Sequence, residues 1–195
     1  MTAGTFSVPL PENADELRVQ EEAYADLADA IRPLIDACVR TRVAPEKAHE
    51  VASRARELTA ELMSTAQDGP LGLEVTSDGR IRDHGNPAVG MRNPIALPLV
   101  FERAEDRRSL RADLELGAAY EGPPGHAHGG VIALLLDQAL GTLPAMIGLP
   151  ALTAYLNLTY KAPSPLGRFV LEAEVADVSG WKILCRGRLR DREGT

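Results

Sequence analysis

Hydrophobic and polar residues recur with two different periods along this chain, and the change of period divides it into two parts. Between residues 13 and 66 the apolar side chains return every three or four positions, which predicts amphipathic helices over 13–41 and 45–66. Asn13 is the predicted N-cap of the first helix, and Pro33 is expected to kink or split it. We expect the two helices to form a hairpin, followed by an irregular linker over 67–95.

From about residue 96 the pattern is typical of strands joined by short turns, with one markedly apolar helix among them. The predicted order is two strands, a helix over 131–144 and three more strands, with the strands at 95–102, 109–116, 151–161, 168–178 and 181–190. Short turns between neighbouring strands imply an antiparallel sheet. Because the run from Val131 to Leu136 is apolar on every side, the helix must be buried. One curved sheet wrapped around this helix meets that need, so the predicted fold class is α+β.

Composition and charge exclude several classes of function. A net charge of −7 argues against broad nucleic-acid binding, although a local basic spot could still hold a small anion. The two cysteines, Cys38 and Cys185, form no CxxC motif and predict neither a zinc site nor a disulfide framework. Residues 1–11 do not resemble a signal peptide, and no uninterrupted apolar run reaches membrane length. We therefore expect a cytoplasmic protein that contacts no membrane.

The start of the apolar helix and an acid within it are the strongest candidates for chemistry. Gly130 and Asp137 lie seven residues apart, which at about 100° per residue places them on nearly the same helical face. Gly129 and Gly130 would expose backbone N–H donors at the helix N-terminus. Donor and acid would then converge on one carbonyl group, which water or the acid itself attacks. In the alternative reading, Asp137 pairs with a neighbouring strand and the glycines only form a tight turn.

A metal site is the competing interpretation of the histidines. His126 and His128 form an HxH pair, which is half of a zinc site, and Asp83 and His84 are the remaining candidates for ligands. Neither stands at a spacing typical of a metal site. We therefore predict no metal.

The segment 122–133, with Asp137 nine residues after His128, resembles the HGG signature of the hotdog-fold acyl-CoA thioesterases. The segment 153–168, which contains a Lys-x-Pro-x-Pro-Leu-Gly turn, resembles the following strand and turn of the PaaI-like/THEM4-like branch. The resemblance covers about 95–195 and implies a hotdog fold with an N-terminal helical extension. It implies that Asp137 acts as base or nucleophile, that Gly129 and Gly130 polarise the thioester carbonyl, and that His128 positions the thioester or holds the loop.

Three further roles follow from the same resemblance. Thr153 would assist the attacking water, and Lys161 and Arg168 would contact the phosphates of CoA, which is part of the substrate and not a separate cofactor. Without the resemblance, Thr153 is an ordinary strand residue on a polar face, and the two cations are solvated surface charges. The family pattern also implies a homodimer or homotetramer in which acid and oxyanion site meet across the subunit interface.

These observations predict an extension with its linker over 1–90 and a hotdog thioesterase domain over 91–195. Asp191 to Thr195 reads as a turn into one further strand, so we expect the domain to lack its final strand. The predicted function is hydrolysis of acyl-CoA to a carboxylic acid and CoA. The alternatives are a non-catalytic module that binds acyl-CoA, possibly regulatory, and a structural domain whose helices recruit a partner. Acyl-chain preference, mechanism and oligomer size stay open.

Overall fold

The computed structural model describes residues 13–76 and 81–191. The chain divides into two compact units, one formed by residues up to 86 together with 90–93, the other by 87–89 and the residues from 94 onward. The domain boundary between residues 90 and 91 stays a prediction. The predicted turn into a further strand at 192–195 lies outside the described residues.

The first unit begins with two long helices. Helix α1 spans Ala14–Arg40 and helix α2 spans Pro45–Met63. Asn13 is confirmed as the N-cap of α1, since its side chain accepts a hydrogen bond from the N–H of Asp15 at 3.1 Å. The helix continues through Pro33, so it is not split there.

The predicted hairpin of α1 and α2 is wrong. In the described part of the chain the two helices do not pack along each other, and α2 has no buried residue. The backbone at both ends of the connection is extended, with ψ angles of 150° at Thr41 and 151° at Ala44. Ala44 precedes Pro45, and a residue before proline disfavours the helical region.

A small β-hairpin lies in the segment that was predicted to be an irregular linker. Strand β1 (Leu73–Val75) pairs antiparallel with strand β2 (Ile81–Asp83). The buried side chains here are polar, namely Arg82 in β2 and His84 directly after it. Arg82 pairs with Glu74 at 3.1 Å, and His84 Nε2 lies 2.7 Å from the same carboxylate. Hydropathy missed this hairpin because three-residue strands are too short for a visible period and the burial is polar.

The second unit is built on a four-stranded antiparallel sheet that packs against helix α3. The strands are β3 (Glu102–Arg103), β4 (Ser109–Leu116), β5 (Gly167–Ser179) and β6 (Lys182–Asp191), in the order β3-β4-β5-β6, and α3 spans Gly129–Met146. The predicted helix and the strands at 109–116, 168–178 and 181–190 are confirmed within about two residues at each end, the usual uncertainty of such boundaries. The α+β class is confirmed as well.

Two other predicted strands differ from the structure. Only the last residue of the predicted strand 95–102 joins the sheet. Glu102 and the following Arg103 form β3 and lie opposite Arg111 and Leu110 of β4. Residues 151–161 belong to no strand in the described chain. Alternating polarity alone cannot make a strand, because its backbone groups also need a partner beside them.

One stripe of α3 supplies the core of this unit. It packs on the inward-facing residues of the sheet. The buried set consists of Ile132, Leu135, Leu136, Ala139 and Leu143 from α3, with Leu110, Ala112, Leu114, Leu116, Phe169, Leu171, Ala173 and Val175 from the sheet. The stripe of Gly130, Asp137 and Gly141 falls on the opposite side of the helix. Helix α3 was expected to be buried on most sides. Within the described chain it is covered on one side only.

By length and composition alone, α3 is also apolar enough to span a membrane. This is weak evidence, because the central helix of a soluble domain passes the same test. In this protein α3 packs against β5 and β6.

Candidate active site

A short loop, residues 121–128, leads into α3 and is fixed by its own backbone. The N–H of Gly122 donates to the carbonyl of His126 at 2.8 Å, and the N–H of His128 donates to the carbonyl of Tyr120 at 2.9 Å. A turn from farther along the chain holds the other side of the loop. There the N–H of Ala127 donates to the carbonyl of Ser164 at 2.8 Å. A loop held from both sides presents His128 and the helix start in one fixed geometry.

The first turn of α3 is capped by His128. The Nδ1 atom of His128 accepts a hydrogen bond from the N–H of Gly130 at 3.0 Å. The N–H groups of Val131 and Ile132 donate to the carbonyl of His128. Of the N–H groups in this turn, only that of Gly129 makes no hydrogen bond with a described residue. Of the two predicted donors, Gly129 is therefore the one available to a ligand.

Asp137 lies on the side of α3 that faces away from the sheet. Its Oδ1 atom is buried and makes no hydrogen bond with any described residue, and none of the recorded ion pairs includes it. The pairing with a neighbouring strand is therefore absent from the described chain. An unsatisfied buried polar group costs about 1–3 kcal/mol. Groups of this kind call for a specific explanation, and a catalytic role is one of the few.

Asp137 and Gly129 share a face of α3 but not a position along it. Eight residues separate them. At a rise of about 1.5 Å per residue their Cα atoms lie about 12 Å apart along the axis. Reacting atoms must approach to about 3–3.5 Å. The convergence of donor and acid of one chain on one carbonyl stays a prediction, since the carbonyl, a water and the Asp137 side chain would together have to span this rise.

Residues 153–160 run along the Asp137 side of α3. A Cβ placed on Gly141 would lie 4.0 Å from Oγ1 of Thr153, and the hydroxyl of Tyr160 donates to the carbonyl of Gly129 at 2.8 Å. Seven extended residues span about 23 Å, which is enough to cover the twelve helical residues between these two contacts. Thr153 therefore lies about one helical turn beyond Asp137.

The two predicted phosphate contacts are exposed and differ in their pairing. Lys161 is exposed and makes no recorded ion pair or side-chain hydrogen bond among the described residues. Arg168 pairs through Nε with Glu115 Oε2 at 3.2 Å, and both side chains are exposed. Exposed pairs contribute about 0–1 kcal/mol. A phosphate could therefore compete with Glu115 for Arg168, and both cations are also compatible with solvated surface charges.

His126 turns back onto its own loop, with Nδ1 lying 2.9 Å from the carbonyl oxygen of Pro124. The described residues contain no group of three or more His, Cys, Asp or Glu side chains that could hold a metal ion.

Tyr160 is the site residue that sequence reasoning missed. As a strand, 151–161 would place Thr153 and Tyr160 on opposite faces. In the structure Tyr160 contacts α3, and the hydroxyl of Thr153 lies 4.0 Å from the position that a Cβ on Gly141 would take. The one signal in the sequence was Gly129 itself, because a residue without a side chain leaves space for a ring.

Known proteins resemble this chain in sequence. Residues 124–195 match the family model of the thioesterase superfamily. The acyl-coenzyme A thioesterase THEM4 of Xenopus laevis is 35% identical over 96 residues, which cover 49% of this chain and 42% of that protein. The THEM4 of Mus musculus is 40% identical over 68 residues, which cover 34% of this chain and 29% of that protein. The chain spans less than half the length of these curated relatives.

A solved structure extends the likeness to nearly the whole chain. A crystal structure of a thioesterase superfamily protein is similar with a TM-score of 0.77 and 31% identity, and the match covers 96% of this chain and 92% of that one. Both the N-terminal helices and the domain that carries Asp137 fall within this match. The chain belongs to the thioesterase superfamily, and its second unit is a hotdog-fold domain of that family.

Proposed function

We propose that this protein hydrolyses acyl-CoA thioesters to a carboxylic acid and CoA. The observation that carries the proposal is the buried Oδ1 of Asp137, which has no partner among the described residues, on the helix whose first N–H is unused at Gly129. The curated relatives are named acyl-coenzyme A thioesterases, which supports a thioester as the substrate.

The N–H of Gly129 would bind the thioester carbonyl oxygen. This hydrogen bond strengthens as the oxygen gains negative charge in the transition state. Asp137 would act in one of two ways. As a base it takes a proton from the water that attacks the carbonyl carbon; as a nucleophile it attacks that carbon itself, and water then opens the resulting anhydride. In both routes the C–S bond breaks, and the CoA thiolate leaves and takes up a proton. The hydroxyl of Thr153 would orient the water.

We infer that the working site is shared by two copies of the chain. The rise of about 12 Å along α3 between Gly129 and Asp137 of one chain is long for two groups that act on the same carbonyl, whereas a second α3 could bring its own Asp137 closer. The segment 151–161 supports such an assembly. It has no strand partner among the described residues, and Leu152 on it is 96% exposed. Exposed apolar side chains beside unpaired backbone favour pairing with another chain.

Lys161 and Arg168 would hold the phosphates of CoA, because both flank the turn at 163–167 and both are exposed. Guanidinium and ammonium groups form short, charge-assisted hydrogen bonds to phosphate oxygens. The cytoplasmic location and the absence of a separate cofactor stay predictions.

The test is CoA release from acyl-CoAs of graded chain length and aryl character, followed with a thiol reagent. The wild type is expected to release CoA, and Asp137→Ala and Asp137→Asn should each lower kcat by roughly 10²–10⁴-fold, the usual contribution of a general base. Full activity in these variants would refute the role of Asp137. Binding of acyl-CoA by the wild type without release of CoA would instead indicate the non-catalytic module.

The two cysteine thiols of the protein can also react with the thiol reagent, and this reaction adds a background signal to the assay. Cys38 is exposed and would react with the reagent, so the assay is run in Cys38→Ser. Cys185 is half-buried, and desolvation raises the pKa of its thiol above the ordinary value. Because the thiolate is the reactive form, Cys185 should react slowly.

A further inference from the structure

Two side chains hold the peptide group that joins Gly129 to Gly130. The hydroxyl of Tyr160 donates to the carbonyl of Gly129 at 2.8 Å, and the N–H of Gly130 donates to Nδ1 of His128 at 3.0 Å. The carbonyl end is thus tied to a residue 31 positions later in the chain, and the N–H end is tied to the residue that caps the helix.

The ring of Tyr160 also lies directly against Gly129. A Cβ placed on Gly129 would stand 3.3 Å from both Cζ and Oη of Tyr160. Any larger residue at 129 would push the ring away, so the contact depends on glycine. Glycine has wide backbone freedom, and two consecutive glycines at a helix start would hold their N–H groups in no single direction by themselves. The surroundings must therefore supply the rigidity.

This rigidity keeps the N–H bond of Gly129 pointing in one direction. Its direction depends on the backbone on either side of Gly129, and the peptide that follows is the one fixed by Tyr160 and His128. Donors that are aligned before the reaction stabilise an oxyanion without reorganisation at the moment of attack. We propose that Tyr160 is a positioning residue for thioester hydrolysis, which fixes the Gly129–Gly130 peptide so that the Gly129 N–H faces the thioester oxygen. The inference rests on the proposed function.

Tyr160→Phe is the decisive variant, because it keeps the ring and removes only the hydroxyl. Tyr24→Phe is the control, since it removes a tyrosine hydroxyl from helix α1, outside the second unit, where that hydroxyl makes no hydrogen bond with a described residue. In the full chain, Tyr160→Phe should lower kcat about tenfold, less than the 10²–10³-fold that removal of an oxyanion donor costs. Tyr24→Phe should leave kcat unchanged.

Two further readouts separate positioning from a general loss of structure. In Tyr160→Phe we expect a KM within about twofold of the wild type, because an aligned oxyanion donor acts mainly in the transition state. The melting temperature should fall by no more than about 2–4 °C, because one intramolecular hydrogen bond contributes little net stability. Amide hydrogen exchange at Gly130 should become faster. If the wild type is active and Tyr160→Phe has the same kcat, the role of Tyr160 is overturned and the proposed function is not affected. A fall in melting temperature that accounts for the lost activity also overturns it. A wild type that releases no CoA overturns the proposed function, and this role with it.

Discussion

Gly122 lies against the backbone of His128, so closely that a Cβ on Gly122 would stand 2.8 Å from the His128 Cα. Real Cβ atoms essentially never come so near another backbone atom. The end of a flexible side chain could move away, but the atom approached here belongs to the backbone. This contact fixes the entry of the loop relative to the helix cap.

Replacement of Gly122 with Ala should therefore displace the loop that carries His128. We expect a loss of roughly 1–3 kcal/mol in the free energy of unfolding, typical of overpacking. Urea denaturation followed by circular dichroism measures it. Gly85→Ala is the control, because a Cβ there would meet nothing within 4 Å. Equal losses in the two variants would contradict the contact.

Activity should reappear when two inactive variants of the chain are mixed. Asp137→Ala lacks the acid, and Gly129→Val obstructs the helix start, where a Cβ would meet the ring of Tyr160 at 3.3 Å. If the site combines Asp137 of one copy with Gly129 of another, a mixed dimer has one intact site. Random exchange should then restore about a quarter of the wild-type rate, because half the dimers are mixed and each has one working site of two. Thioesterase assays before and after exchange of subunits measure the recovery. A mixture that stays inactive although mass spectrometry shows mixed dimers would place acid and donor in the same chain.

The cap of α3 should tolerate Asn in place of His128 better than Ala. Asn is among the strongest N-cap residues, and loss of a capping side chain costs about 1 kcal/mol. His128→Ala removes the acceptor for the N–H of Gly130, whereas His128→Asn can replace it. We expect the urea midpoint of His128→Asn to lie near that of the wild type and the midpoint of His128→Ala to be lower. Equal midpoints for all three proteins would mean that the cap contributes nothing to stability.

Stability in acid should depend on Glu172. Its Oε2 accepts hydrogen bonds from Arg188 at 2.6 Å and from Arg190 at 2.7 Å. The bond from Arg188 is the largest influence and holds the pKa of Glu172 below its ordinary value of 4.5, against the opposing effect of burial. Because the folded pKa is lower than the unfolded one, the stabilisation is complete above pH 4.5 and is lost as the pH falls below it.

Glu172→Gln should accordingly flatten the dependence of unfolding free energy on pH below 4.5. The effect at neutral pH should be only about 0–1 kcal/mol, since Arg188 is largely exposed and Arg190 is partly exposed. Urea denaturation at a series of pH values measures it. Glu174→Gln, on the same strand and without a recorded ion pair among the described residues, should keep the wild-type slope. An unchanged slope in Glu172→Gln would show that the two arginines do not stabilise this carboxylate in solution.

Elements whose evidence is local were predicted well. Strand β4 alternates cleanly from Ser109 to Leu116, and both predicted ends agree with the structure. The segment 151–161 shows a similar alternation, yet it forms no strand in the described chain. Its pattern carried no information about whether another strand would lie beside it. The β1–β2 hairpin was missed for the converse reason, since its pairing depends on the buried Arg82 and not on an apolar period.

The sequence by itself determined that Gly130 and Asp137 share one face of an apolar helix, because the helical period is a property of consecutive residues. Only the tertiary structure decided which donor is unused, since His128 takes the N–H of Gly130 and leaves that of Gly129. It also brought Tyr160 onto Gly129 and left Oδ1 of Asp137 without a partner among the described residues. Such contacts join atoms that are distant in the chain, and no local period encodes them.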